Sequence, residues 1–345
     1  MKTIRWGIIG CGDVTEVKSG PGFYKAEHSA LAAVMRRDAA KAKDYARRHG
    51  VAKWYADADA LIADKDVDAV YIATPPGSHE LYAAKVLAAG KPCYVEKPMS
   101  RNAAEGRRMV EGFRAKGVPL FVAYYRRALP RFLKVKELVD TGVLGRIESV
   151  SNVLASGRMS RAEASSTPAW RMRAEESGAG IFMDMPAHTL DLLDFWFGPL
   201  KVVEATVRNE GRVYEVEDDV KATLASADGV PISLEAHFNS TKPADEFVLR
   251  GSAGEIRLSC FGNEMPRLTY LDGRVETFEL PNPPHVAQPL IQSVVRELLG
   301  IGKCASTGET ALRTQIIMDQ ILHDYYGGRE DGFWKRQWPG NAAAH

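Results

Sequence analysis

The stretch Ile4-Arg5-Trp6-Gly7-Ile8-Ile9-Gly10-Cys11-Gly12-Asp13-Val14-Thr15 decides the fold. An apolar run that reads as a buried strand breaks at Gly10 and Gly12 into a turn, and a helix is expected to open behind it. Glycines at these two positions permit a tight turn and let backbone amides approach a pyrophosphate, with the N-terminal end of the helix favouring negative charge. Thr15 stands where a third glycine is usual, but that position concerns helix packing rather than phosphate contact. The pattern therefore predicts that Gly10, Gly12, Asp13 and Val14 line a dinucleotide, against an ordinary strand-turn-helix.

The same alternation continues as far as residue 123. Short apolar runs at Arg5–Gly10, Ala30–Met35, Ala69–Thr74, Pro92–Glu96 and Leu120–Ala123 are separated by amphipathic stretches at Ala39–His49, His79–Ala89 and Asn102–Ala115. Strands alternating with helices imply parallel βαβ units and a doubly wound α/β sheet. The stretch Glu16–Lys25, with Gly20-Pro21-Gly22, is an unusual start for a first helix.

A second pattern begins near Tyr124, so the chain is read as two domains, 1–123 and 124–345. Pro130–Asp140 predicts a helix, Thr141–Gly145 a turn, Arg146–Leu154 a strand, and Leu190–Trp196 a helix stopped by Gly198-Pro199. From Val202 to Leu280 short strands recur between turn signals such as Asp228-Gly229 and Asp272-Gly273, which predicts an open, largely antiparallel mixed sheet. Gln288–Leu299 and Gly308–Tyr326 read as helices covering one face of that sheet. Its other face is expected to be apolar and to take a partner. The polar, Ser-rich stretch Arg158–Pro168 reads as a mobile loop.

The 345 residues carry 45 basic and 44 acidic side chains, a formal net charge of +1. That balance gives no electrostatic reason to bind nucleic acid or an anionic membrane surface. No apolar run reaches the ~18 residues of a transmembrane helix. The four cysteines, Cys11, Cys93, Cys260 and Cys304, are scattered and form neither a zinc spacing nor a disulfide framework. Reduced thiols and a cytoplasmic location are expected.

Four further places carry candidate chemistry. At the end of the second strand, Arg36 occupies the position where NAD-binding sheets place an acidic residue for the ribose, and Arg37 follows it. Two guanidinium groups suit a 2′-phosphate, so NADP is expected over NAD, unless Asp38 takes the acidic role. The corner Thr74-Pro75-Pro76-Gly77-Ser78-His79 breaks an apolar strand and can line the nicotinamide side of a cleft, through Thr74, Pro75 and His79. In Cys93-Tyr94-Val95-Glu96-Lys97-Pro98 a strand ends at a proline that has no N–H to continue it, which aims Lys97 at whatever the sheet binds. Finally, Asp184 and His188 are four apart, so on a helical turn both face one side. A carboxylate beside an imidazole orients it and raises its pKa, which suits proton transfer near neutral pH. No third ligand stands at a convincing spacing for a metal.

Taken in order, the glycine turn, the Thr74-Pro75 corner ending in His79, Glu96-Lys97-Pro98 and Asp184…His188 resemble the Gfo/Idh/MocA oxidoreductases, the group of glucose-fructose oxidoreductase and inositol dehydrogenase. The likeness runs from Arg5 to about Gly328. It implies an N-terminal Rossmann domain, a C-terminal α+β domain and a catalytic set of Lys97, Asp184 and His188, with Glu96 beside the cofactor. It further implies a cis Lys97-Pro98 bond, and substrate contacts from Tyr125, Arg126, Trp170 and Arg171, with His285 a weaker candidate. The activity implied is hydride transfer between NADP and a carbinol or carbonyl carbon of a sugar, polyol or related carbohydrate, in a homodimer or homotetramer joined through the C-terminal sheet. The alternatives are a cofactor-retaining glycosidase of the same fold, acting by transient oxidation and elimination, and a non-catalytic nicotinamide or sugar sensor. Two departures bear on the substrate: Pro186 replaces a usual glycine, and Ala179 interrupts a run of glycines.

Overall fold

Short apolar runs flanked by amphipathic ones give strands that pack under helices, and this sequence builds two sheets with different results. The computed structural model describes residues 2–157 and 169–341. Contacts gather these residues into two units. The first comprises the chain up to Ser100, Ala104–Leu129 and Asn282–Leu312. The second comprises Arg101–Ala103, Pro130–Pro281 and the chain from Arg313 onward.

The first unit is built on a six-stranded parallel sheet of β1 (Ile4–Ile9), β2 (Ser29–Met35), β3 (Lys53–Tyr55), β4 (Ala69–Ile72), β5 (Cys93–Val95) and β6 (Leu120–Val122), in the order β3-β2-β1-β4-β5-β6. The order reverses between β1 and β4, and in open α/β sheets ligands bind at the carboxyl ends of the strands at such a switch point. Ile9 ends β1 in register with Met35 of β2 and Ile72 of β4. The loops after all three strands therefore emerge together. The core beneath is aromatic: the Trp6 and Phe23 rings lie 5.0 Å apart, and those of Tyr71 and Tyr94 are stacked at 5.1 Å.

Three departures from the sequence reading occur here. The three-residue strand Lys53–Tyr55 was not expected; so short a run carries little periodicity. The first helix is split into α1 (Asp13–Val17) and α2 (Gly20–Lys25). The helix Gln288–Leu298 does not cover the second sheet. Its Leu290, Ile291, Val294 and Val295 are buried in the same core cluster as Trp6, Phe23 and Tyr94. Periodicity reports that a helix has an apolar face, not which core receives it.

The second unit holds an eight-stranded mixed sheet, order β14-β13-β12-β11-β7-β10-β9-β8. Here β7 is Ile147–Gly157, β8 Leu200–Arg208, β9 Asp219–Ser226, β10 Pro231–Ser240, β11 Ala244–Gly251 and β12 Gly254–Leu258, with β13 Arg267–Tyr270 and β14 Val275–Thr277 completing it. Only β7 and β10 pair in parallel; every other pair is antiparallel. The helix Pro186–Phe197 is buried along nearly its whole length. Its Trp196 donates to the Phe132 carbonyl at 3.1 Å and meets the Phe247 ring edge-on at 5.2 Å.

The outer side of this sheet is not the apolar face that the alternation predicted. Along β10, Ile232, Leu234, Ala236 and Phe238 are buried, and Glu235 and His237 point the other way. His237 pairs with Asp219 at 2.5 Å and Glu235 at 2.9 Å, and Arg257 pairs with Glu246 at 2.7 Å. The outward residues thus form an ionic ladder with Val153 and Val248 between the charges. The stretch 158–168, read as a mobile loop, lies outside the described residues. No helix among those described is long and apolar enough to cross a membrane.

Candidate active site

The glycine turn sits at the end of β1. Gly10 has φ +91°, in the left-handed region that favours glycine, and a Cβ there would lie 2.7 Å from the Thr74 side chain. The amides of Gly10 and Cys11 donate to the Met35 carbonyl at 2.9 and 3.1 Å. The Gly12 amide donates to the Thr15 hydroxyl at 3.0 Å, and that hydroxyl donates back to the Gly12 carbonyl at 2.7 Å. Thr15, at the missing third glycine, therefore closes the turn. Among the described residues the amides of Asp13 and Val14 make no hydrogen bond, and beyond Gly12 a Cβ would meet only the Gly10 carbonyl, at 3.8 Å. Two free amides beside open space fit a pyrophosphate.

Arg36 follows the last residue of β2, and its guanidinium donates to the Cys11 carbonyl at 3.3 Å, beside the turn. Asp38 is occupied elsewhere: it is the N-cap of the helix Ala39–His49 and accepts from the Lys41 amide at 3.1 Å. The acidic alternative is thereby tied to a cap, and Arg37 is exposed.

The corner after β4 is held internally. The Ser78 hydroxyl donates to the Thr74 hydroxyl at 2.8 Å. His79, expected to touch the cofactor, is fully buried. Its Nε2 lies 2.7 Å from the Thr74 carbonyl and its Nδ1 3.1 Å from that of Pro98. Burial lowers its pKa to about 4 against the pull of those carbonyls. With both nitrogens against backbone carbonyls and the side chain fully buried, the ring braces two loops and does not face a ligand.

After β5 comes the Lys97 corner, whose Lys97-Pro98 bond is cis. Glu96 accepts from the Tyr71 hydroxyl and, at 3.1 Å, from the Lys97 amide. Burial raises its carboxyl pKa, while Tyr71 and the neighbouring Lys97 pull the other way. Tyr71 lies inside an apolar strand, so nothing in the pattern marked it as the support of this corner. Tyr125 and Arg126 follow β6 as one unit: the guanidinium donates to the Tyr125 hydroxyl at 2.9 Å and lies 5.0 Å from its ring. His285 also belongs to the first unit. Its Nδ1 is 2.8 Å from the Val17 carbonyl and its Nε2 2.9 Å from the Lys25 ammonium, so it braces α1 and α2.

In the second unit Asp184 ends the short helix Ile181–Asp184, and the helix Pro186–Phe197 starts two residues later. Asp184 and His188 thus straddle a helix junction instead of sharing one straight helix, and Pro186 takes the first position of the second helix, where its missing N–H is harmless. Asp184 forms an ion pair with Arg171 at 3.3 Å, and Arg171 lies 5.0 Å from the Trp170 ring. Trp170, Arg171 and Asp184 are therefore gathered into one group. His188 is only 4% exposed and meets the Phe261 ring edge-on at 6.0 Å.

Two supporting residues escaped the sequence reading. Glu217, wholly buried, accepts from the Gly180 amide at 2.8 Å and the Tyr326 hydroxyl at 2.5 Å. The Arg329 guanidinium donates to the Gly178 and Arg101 carbonyls and pairs with Asp319. Both hold the Gly178-Ala179-Gly180 segment that leads into Asp184. No local signal announces either, because each is paired with chain far away in sequence.

Two family models match the chain. That of the GFO/IDH/MocA oxidoreductase family, NAD-binding Rossmann fold, covers residues 4–124, and the GFO/IDH/MocA C-terminal domain covers 132–257. An oxidoreductase of Formosa agariphila is 40% identical over 316 residues, 92% of this chain and 97% of that protein. The trans-1,2-dihydrobenzene-1,2-diol dehydrogenase of Mus musculus is 31% identical over 254 residues, 71% of this chain and 72% of the enzyme. Among solved structures, a levoglucosan dehydrogenase in complex with NADH and levoglucosan shares the fold with a TM-score of 0.83 at 21% identity, covering 93% of this chain and 97% of that one. The chain belongs to the GFO/IDH/MocA family of oxidoreductases, with a Rossmann unit that takes a nicotinamide dinucleotide.

Proposed function

We propose that this protein is an NADP(H)-dependent oxidoreductase acting on a carbinol or carbonyl carbon of a sugar, polyol or related carbohydrate. What supports the reading is that the chain carries all three residues that the family resemblance assigns to the acid–base work: Lys97 directly after β5 in the first unit, and Asp184 with the buried His188 at the helix junction of the second. The bound nicotinamide supplies hydride transfer; the proton work belongs to the chain. His188 takes the hydroxyl proton in oxidation and returns it in reduction. Lys97 donates a hydrogen bond to the reacting oxygen and stabilises the negative charge that develops there. Asp184, held by Arg171, orients His188. Tyr125, Arg126, Trp170 and Arg171 contact the remaining hydroxyls of the substrate. NADP is favoured because Arg36 stands beside the glycine turn and Asp38 is tied to a helix cap.

The test is a panel of sugars and polyols with NADP⁺ and NAD⁺, followed by absorbance of the reduced nicotinamide, with His188→Asn alongside. Turnover is expected with NADP⁺, and loss of the acid–base group should lower it roughly 10²–10⁴-fold. Full activity in His188→Asn would sink the assignment. Silence of the wild type across the panel, with consumption of glycosides at catalytic cofactor, would replace the dehydrogenase with the glycosidase chemistry.

A further inference from the structure

Arg329 is 5% exposed, and each of its three nitrogens donates to a different part of the chain. Nε pairs with Asp319 at 3.2 Å, Nη2 donates to the Arg101 carbonyl at 2.8 Å, and Nη1 donates to the Gly178 carbonyl. The plane of the guanidinium lies over Phe333, 4.0 Å from the ring centroid. Asp319 in turn accepts from the Ala103 amide at 2.6 Å. One ion pair thus fixes Arg101 and Ala103, where the chain leaves the Lys97-Pro98 corner, and Gly178, six residues before Asp184.

The other end of the glycine segment is gripped separately. Glu217 accepts from the Gly180 amide at 2.8 Å and from Tyr326 at 2.5 Å. A Cβ at Gly180 would lie 2.8 Å from Val216 and 2.9 Å from the Glu217 carbonyl, so the segment is pressed onto this partner with no slack. Burial raises the Glu217 carboxyl pKa, and the Arg329 charge opposes it. Arg329 and Glu217 sit 145 and 33 residues beyond Asp184 in sequence, yet both act on the three residues that set where the following helix begins.

We propose that Arg329, with Glu217, is a positioning residue of the reaction: it clamps Gly178-Ala179-Gly180 and so fixes the direction in which Asp184 and His188 are presented. This rests on the assignment of Asp184 and His188 to the acid–base set. Lysine cannot replace arginine here, because one ammonium cannot serve two carbonyls and a carboxylate in a plane. A carboxylate and imidazole displaced by about 1 Å would lose on the order of 10²-fold in turnover with little change in binding.

The experiment compares wild type and Arg329→Lys, both folded by circular dichroism, by hydrogen exchange of peptides covering Gly178–Leu190 and by steady-state kinetics on the best substrate of the panel. In Arg329→Lys, faster exchange is expected in those peptides and not in β1, β2 or β4. NADPH affinity should hold within about twofold while kcat falls roughly ten- to a hundredfold, more than KM changes. Unchanged exchange would overturn the clamp. Faster exchange with wild-type kcat would overturn the positioning role and leave Arg329 as a stabilising residue. A wild type without turnover, together with faster exchange in the variant, would count against the acid–base assignment and not against the clamp. Should Arg329→Lys fail to fold, Glu217→Gln is read by the same two measurements and the same outcomes.

Discussion

The two regions that carry candidate chemistry are held in opposite ways. In the first unit, the loops after β1, β4 and β5 are fixed by near neighbours. Thr15 closes the turn of Gly12, Ser78 and His79 secure Thr74, and Tyr71 anchors Glu96, all within 25 residues of chain. In the second unit the segment before Asp184 depends on Glu217, 37 residues from Gly180, and on Arg329, 151 residues from Gly178. The first kind of support survives in a short motif, because the residues that make the loop also hold it. The second exists only once the C-terminal segment has folded back onto the unit, so damage there should reach the chemistry without touching the dinucleotide turn.

The same substitution made in both regions breaks or sharpens this contrast most strongly. Gly180→Ala forces a Cβ against Val216 and the Glu217 backbone, and overpacking of this kind costs about 1–3 kcal/mol. Its unfolding midpoint and its kcat should both fall. Gly12→Ala adds a Cβ with no neighbour closer than 3.8 Å, so its midpoint should stay near wild type while cofactor affinity drops. Equal losses of stability in the two variants, measured by thermal denaturation, would erase the distinction.

A smaller effect is expected at Arg36, a purely local ligand in this view. Hydrogen bonds to charged groups are worth about 1.5–3 kcal/mol, so Arg36→Ala should weaken NADPH roughly ten- to a hundredfold and leave NADH nearly unchanged. Fluorescence titration with both cofactors decides it. A parallel loss of both would mean that Arg36 supports the glycine turn through the Cys11 carbonyl instead of reading the cofactor.

The smallest effect concerns a third kind of support, set by strand register. His237 lies across β9 and β10 from Asp219 and beside Glu235. Burial lowers its pKa, but the hydrogen bonds to Glu235 and Asp219 outweigh it and the net shift is upward. A folded pKa above the unfolded value of about 6.5 means that the contribution to stability is complete below that pH and is lost as pH rises through the folded value. His237→Gln should therefore flatten the fall in unfolding midpoint above about pH 6.5. Parallel curves for variant and wild type across that range would remove His237 from the account.

How much was legible follows the same division. The helices Ala39–His49, Pro130–Asp140 and Gly308–Tyr326 form over the spans their periodicity marks, and the first, second, fourth, fifth and sixth strands fall within two residues of theirs. The short strand Lys53–Tyr55 left no periodic trace. His79 and His285 stand in the right neighbourhoods in sequence, but the first turned inward to brace two loops and the second closed on α1 and α2. A histidine offers the same two nitrogens to a ligand or to a backbone carbonyl, and composition does not separate the two.

By itself, the order of residues determined the parallel sheet, the glycine turn, the Lys97 corner and the placing of Asp184 and His188 four residues apart in one stretch of chain, because these depend on periodicity, backbone freedom and short spacing. Tertiary structure alone decided that the helix Gln288–Leu298 joins the first core, that the outer face of the second sheet is ionic, and that Glu217 and Arg329 hold the segment before Asp184. Each of those is a contact across long stretches of chain, where the free energy of burial and pairing selects a partner that no local pattern names.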